Sequence, residues 1–193
     1  MRPIVLASTS PYRKALLQQL GLPFVSASPL YFEELDQSVA PELLVKHLAL
    51  QKAESLLKHF PEALIIGADQ VFVDARRRIL GKPGSAEQAV EQLRAMAGRS
   101  HTFFTGLALF DASTGEASVD FDTFTVTLRA LSDEQLRRYV ERENPVDCAG
   151  SFKIEGLGIA LMEKLEGHDY TTLIGLPLIK LTAMLERCGV AVL

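Results

Sequence analysis

The stretch Ile4-Val5-Leu6-Ala7-Ser8-Thr9-Ser10-Pro11-Tyr12-Arg13 constrains this chain more than any other, because an apolar run breaks at once into small hydroxyl residues and a proline. Ile4, Val5 and Leu6 predict a short buried strand. A helix should begin directly after it, with Ser10 as N-cap, Pro11 in the first helical position and Gly21 closing the segment after Leu20. Such a strand-to-helix passage aims backbone N–H groups, hydroxyls and the positive end of a helix at one spot, which suits an anion. Arg13 adds a planar fork of donors that matches phosphate oxygens. Taken alone, the same residues also satisfy an ordinary capped helix carrying a solvated arginine.

A chain of 193 residues, 48% hydrophobic and 23% charged, has material for one domain or two small lobes. Its formal charge of −4 supplies no broad basic field, so duplex nucleic acid held through its phosphates is not expected, and phosphate binding has to be local. No segment approaches the roughly 20 apolar residues of a membrane span, and the apolar run after Pro3 is too short for a signal peptide. A cytoplasmic protein is expected. Cys148 and Cys188 stand far apart and read as free thiols, and His47, His59, His101 and His168 are scattered singly rather than spaced as metal ligands.

Along the chain, residues 24–28 predict a second strand, 29–40 an acidic connection, and 41–58 a helix stopped by Pro61. Leu44, Val45, Leu48, Ala49 and Leu56 share one face of that helix, and Lys52 sits in the middle of the apolar stripe. Either its stem covers the core while the ammonium snorkels out, or the ammonium faces a cleft. Residues 63–74 read as a strand interrupted by Ala68-Asp69-Gln70, where Asp69 needs a cation, a donor or solvent, and Gly67 permits a bulge or a close approach by ligand. Arg76, Arg77 and Arg78 predict an exposed turn. Lys82 is held in the turn Gly81-Lys82-Pro83-Gly84, before a helix capped by Ser85 and ending at Gly98. Residues 101–110 and 117–128 form a long hairpin through Ser113-Thr114-Gly115, Ser132 opens a helix that ends before Pro145, residues 147–152 start the last sheet element, and 177–187 form the final helix.

The departures from simple patterning are therefore a phosphate-ready helix start, Glu33, a lysine on an apolar face, a mid-sheet Asp69 and a turn-held Lys82. Arg13, Lys52 and Lys82 can neutralise a polyphosphate, while Glu33 and Asp69 supply hard oxygen ligands of the kind Mg²⁺ takes alongside substrate phosphates. That combination points to metal-assisted phosphoryl or nucleotidyl chemistry. The absence of a Walker A sequence and of GxGxxG argues against a P-loop NTPase and a dinucleotide-binding protein.

From end to end, LASTSPYR, GADQ, GKP, FFTGLALF and CAGSFKIEG make the chain resemble the Maf-like nucleoside triphosphate pyrophosphatases. The resemblance implies an α/β fold with a long, strongly bent mixed β-sheet flanked by helices and two lobes around a central cleft, with residues 1–193 as a single domain. It also implies cleavage between the α and β phosphates with a divalent cation, Mg or Mn, and frequent homodimers. Carried over by position, Ser8 and Arg13 match phosphate-binding residues, Glu33 and Asp69 the acidic pair that would hold metal, Lys52 and Lys82 the family's lysines, and Asp69 the proton acceptor. A free Asp, with a pKa of about 3.9, is a weak base at neutral pH, and a metal that acidifies the attacking water would make up the difference. Gln70 and Glu155 resemble the 7-methyl-GTP branch rather than the dTTP/UTP branch, which carries Thr and Gln there. A carboxylate at Glu155 can offset the positive charge of a methylated guanine and accept from its N–H groups. Tyr12 either stacks on that cationic ring or packs as a partly buried aromatic. Phe32 stands where the family commonly has an acid, leaving Glu33 and Glu34 as alternative metal ligands. The alternatives to a 7-methyl-GTP pyrophosphatase are an enzyme for dTTP, UTP or another non-standard triphosphate, and a non-catalytic nucleotide-binding regulator.

Overall fold

The computed structural model describes residues 2–32 and 38–193. Ile4–Ala7 form strand β1, Val25–Ala27 β2 and Leu64–Val73 β3, and β1 pairs in parallel with both others, Leu6 standing opposite Ser26 on one side and Ile66 on the other. Parallel pairing needs helical crossovers that cover both sheet faces, so β1 is buried at all four positions. Ile4 and Leu6 face a cluster with Leu16 and Leu17 of helix α1 (Pro11–Gln18) and Leu181, Met184 and Leu185 of helix α6 (Leu178–Arg187). Val5 and Ala7 face the opposite layer, with Ala53 in the last turn of helix α2 (Pro41–Glu54) and Leu56 just beyond it.

The sheet continues through β5 (Ser100–Asp111), β6 (Glu116–Leu128) and β7 (Met162–Gly167) in the order β2-β1-β3-β5-β6-β7, with β4 (Ile79–Leu80) antiparallel to β3. This seven-stranded mixed sheet with helices is the α/β class that the sequence predicts. The chain divides into two compact units. The first comprises residues 1–70, 104–123 and 169–193, and the second residues 71–103 and 124–168.

Glycine decides how closely α2 meets the sheet in the first unit. A Cβ on Gly67 would lie 2.0 Å from the carbonyl oxygen of Ala49, and one on Gly106 2.0 Å from that of Val45. The close approach expected at Gly67 is thus made by a helix backbone, not by a ligand. Helix α2 stops at Glu54, four residues short of the predicted end, where the Ser55 hydroxyl donates to the Lys52 carbonyl at 2.7 Å and turns the chain.

In the second unit, helix α3 (Ala86–Met96) is capped by Ser85, and helix α4 (Asp133–Glu143) carries a complete capping box between Ser132 and Gln135. Phe72, Phe103 and Phe152 form an aromatic cluster, with the Phe72 and Phe103 centroids 4.5 Å apart. Residues 147–152 do not form the predicted strand. Gly150 and Ser151 adopt φ of 76° and 61°, which turns the backbone into a short 3₁₀ segment, Ala149–Ser151, and the sheet resumes only at β7.

His101 is 2% exposed and hydrogen-bonded at both ring nitrogens. Its Nε2–H donates to the Met96 carbonyl at 2.9 Å, and Nδ1 accepts the Ala75 N–H at 3.2 Å, which fixes a neutral tautomer. Burial pushes its pKa down, outweighing the Met96 carbonyl and Asp74, which favour the cation, and Arg99 pushes the same way as burial. An unfolded histidine takes its proton near pH ~6.5, so the stability given by the neutral ring is complete above that pH and is lost as pH falls through the lower folded value. The denaturant midpoint should therefore drop more steeply between pH 7 and pH 5 in the parent chain than in His101→Gln. Parallel slopes in the two proteins would show that His101 does not carry this pH dependence.

Candidate active site

The C-terminal end of β1 lies beside the interior of the longer β3, and two residues beyond the Leu6–Ile66 pair stand Ser8, just past β1, and Ala68, the neighbour of Asp69 in β3. Ligands of α/β folds collect at such carboxyl ends because helix N-termini point there. Here that helix is α1. Its N-cap Ser10 accepts the Arg13 N–H at 3.4 Å, and the Ser8 hydroxyl accepts the Ser10 N–H at 3.1 Å. The N–H groups of Thr9 and Tyr12 take no partner among the described residues, so they and the helix's partial positive charge are available to an anion.

Lys52 and Asp69 answer each other's sequence anomaly. Lys52 is 5% exposed and Asp69 6% exposed, and Lys52 Nζ donates to Asp69 Oδ1 at 2.5 Å. The ammonium therefore does not snorkel to solvent, and the carboxylate is not left unpaired in the sheet. Because helix α2 rests directly on Gly67, its last turn is low enough for a lysine to reach a strand residue only two positions further along. Asp69 Oδ2 accepts no hydrogen bond among the described residues.

Gln70 and Arg13 are each held by the segment around helix α5 (Tyr170–Ile174), an element with no counterpart in the sequence prediction. Gln70 Nε2 donates to Thr105 Oγ1 and the Thr172 carbonyl, both at 2.8 Å, and to the Leu173 carbonyl at 3.3 Å. Two carbonyl partners fix which end of the amide is nitrogen. Arg13 Nε donates to the Gly175 carbonyl at 2.9 Å. A Cβ on Gly175 would lie 3.4 Å from Arg13 Nε and 3.8 Å from Gln70 Oε1, so the guanidinium and the amide oxygen share one neighbourhood. Behind them, the buried Thr172 hydroxyl donates to Asp122 Oδ2 at 2.8 Å. Thr105, Thr172, Gly175 and Asp122 were missed by sequence reasoning. The signal for them was the hydroxyl pair Thr171-Thr172 after Asp169, which caps α5, followed by Gly175.

The first unit thus holds Ser8 and Arg13 just past the C-terminal end of β1, and the Lys52–Asp69 pair and Gln70 on the neighbouring β3, with Tyr12 on α1 at 46% exposure. Lys82 and Glu155 belong to the second unit, Lys82 exposed in the turn after β4 and Glu155 exposed in the turn before the 3₁₀ segment Leu157–Leu161. Glu33 and Glu34 lie outside the described residues. No group of three or more His, Cys, Asp and Glu among the described residues forms a cation cage. The donor set nonetheless fits Mg²⁺ in the mode that uses one or two carboxylates plus substrate phosphates and water, since Asp69 retains one oxygen.

No described helix is long and apolar enough to cross a membrane. Among solved structures, the Ham1 protein of Staphylococcus aureus superposes with a TM-score of 0.53 at 13% identity, covering 96% of this chain and 99% of that one, a likeness of fold. A protein of Syntrophotalea carbinolica named 7-methyl-GTP pyrophosphatase is 64% identical over 193 residues, all of this chain and 98% of the relative. Proteins of the same name from Pseudomonas putida and Vibrio cholerae are 52% and 53% identical, covering 100% and 98% of this chain and 100% and 97% of the relatives. Residues 3–188 match the family described as Maf-like protein, and with that coverage and these identities the chain belongs to the Maf-like family.

Proposed function

We propose that this chain is a nucleoside triphosphate pyrophosphatase that converts 7-methyl-GTP to 7-methyl-GMP and diphosphate. The observation that carries the reading is the buried Lys52–Asp69 pair on β3, three residues beyond the Leu6–Ile66 pair on the side where β1 passes into α1. The names of the relatives support the same reaction and base. Ser8, Arg13 and the open amides of the first turn bind the phosphate tail, Lys52 and Lys82 neutralise its charge, and Asp69 receives the proton of the attacking water. The new bond joins water oxygen to the α-phosphorus, the α–β bridging bond breaks, and diphosphate leaves. Asp69, with Glu33, would hold a Mg or Mn ion, which when bound lowers the pKa of water and offsets developing phosphate charge. The Lys52 ammonium fixes the Asp69 carboxylate in one orientation, so little reorganisation accompanies proton transfer.

Base selection falls to Gln70 and Glu155, with Tyr12 available to stack. Since all Gln70 donors in reach are spent on Thr105 and α5 carbonyls, Gln70 reads a base through Oε1 alone. Homodimerisation and a cytoplasmic site of action belong to the same reading. The test is a triphosphate panel with Mg²⁺ and Mn²⁺ and products identified by mass. It should give diphosphate and 7-methyl-GMP as the preferred products, with preference moving toward dTTP and UTP in Gln70→Thr combined with Glu155→Gln. Orthophosphate as the only product would refute the reaction, and tight binding without turnover across the panel would favour a regulator.

A further inference from the structure

The run Arg76-Arg77-Arg78 is exposed, as the sequence predicts, and it divides in the structure. Arg77 takes φ of 63° in the β3–β4 hairpin, while Arg76 and Arg78 line a cavity of about 140 Å³ together with Arg94, Arg99, Asp74, His101 and three alanines. This cavity lies wholly within the second unit.

The charge in it is not balanced. Asp74 is its one acid, and its capacity is used: Oδ1 accepts the N–H groups of Arg76 and Arg78 at 2.8 and 2.9 Å, and Oδ2 takes Arg78 Nε and Nη2 at 2.9 and 2.7 Å. Arg94 is paired outward with Asp133, at 2.7 Å through both Nε and Nη2, and with Glu91. The C-terminal end of α3 carries partial negative charge, which Arg94 in its last turn offsets. Arg76 and Arg99 have no ion-pair partner among the described residues, so two guanidinium charges stay uncompensated at one cavity of a chain whose formal charge is −4.

The two walls are also fixed in relation to each other. Buried His101 holds the hairpin through the Ala75 N–H and the end of α3 through the Met96 carbonyl, so Arg76 and Arg99 sit on backbones tied to one ring. Two planar forks carried on such anchored backbones favour oxyanions with several acceptor oxygens over chloride.

We propose that this cavity is a second oxyanion site, taking a small phosphate anion, either a single phosphate group or diphosphate, through Arg76 and Arg99 with Arg78 and Arg94 as its walls. It is built from residues outside the candidate active site and does not depend on the reaction assigned there. The test is titration of the ¹⁵N-labelled full chain with inorganic phosphate and with diphosphate, at ionic strength held constant with chloride. Saturable shifts are expected at residues 75–78 and 94–99, weakened at least tenfold in Arg76→Ala/Arg99→Ala and unchanged in Arg13→Ala. Arg76→Lys/Arg99→Lys, which keeps the charge and removes the forks, should fall between. Tighter saturation by diphosphate assigns a linked phosphate chain and tighter saturation by phosphate a single group, each supporting the site. Shifts confined to residues 8–13, shifts that chloride reproduces, or shifts that the double alanine variant leaves intact would overturn it.

Discussion

Asp69→Asn is expected to lower diphosphate release by about a thousandfold in a chain that still folds. The asparagine oxygen can accept from Lys52 Nζ, so that hydrogen bond is kept while the charge of Asp69 is lost, at a cost of about 1–3 kcal/mol. Lys52→Met should be worse for the fold, since it strands a carboxylate that is 6% exposed and costs about 3–5 kcal/mol. Combining Lys52→Met with Asp69→Leu replaces the whole ion pair by apolar side chains, and most of that loss should return. Activity should not return with it. Stability and turnover therefore separate across the cycle, as read by denaturant midpoints and by diphosphate release on the same preparations. Turnover within tenfold of the parent chain in Asp69→Asn would remove this residue as proton acceptor, whatever happened to stability.

What made Asp69 and Lys52 visible before any coordinates was disagreement with the local pattern. A carboxylate amid Ile65, Ile66, Val71 and Phe72, and a lysine on the stripe of Leu48, Ala49 and Leu56, each violate a periodicity that their neighbours obey. The β1–α1 passage was legible for the opposite reason, since a strand, an N-cap and a proline agree within ten residues of chain. Distance along the chain hid the rest. Gln70 finds Thr105 at a separation of 35 residues and Thr172 at 102, and Arg13 finds Gly175 at 162, so no local window contains both partners. Helix α5 has only five residues, too few for a helical period to register. Residues 147–152 looked strand-like, but Gly150 and Ser151 take positive φ, and Gly150 lies against the Phe72 ring, 78 residues away, where a Cβ would clash.

Gly67→Ala tests whether the Lys52–Asp69 pair exists because a helix is allowed to touch a strand. The added Cβ would meet Ala49 O at 2.0 Å, Ala53 N at 3.0 Å and Ala49 C at 3.1 Å. All three are backbone atoms, so no side chain can rotate away, and α2 must lift from β3 or the strand must bend. Either movement opens the layer in which Val5, Ala7, Ala53, Leu56 and Ile65 pack. A loss of about 3 kcal/mol or more is expected, at the upper end for overpacking because rigid segments clash. Gly81→Ala is the control, with nothing within 4 Å of its Cβ and an expected change within about 0.5 kcal/mol. Lifting α2 also draws Lys52 away from Asp69, so the folded fraction of Gly67→Ala should show depressed turnover. That loss should appear even under conditions, such as low temperature or stabilising salt, where the variant is fully folded by circular dichroism. Unchanged stability would mean that the helix does not rest on this glycine. Normal turnover in a destabilised variant would mean that the ion pair's geometry is not what the reaction needs.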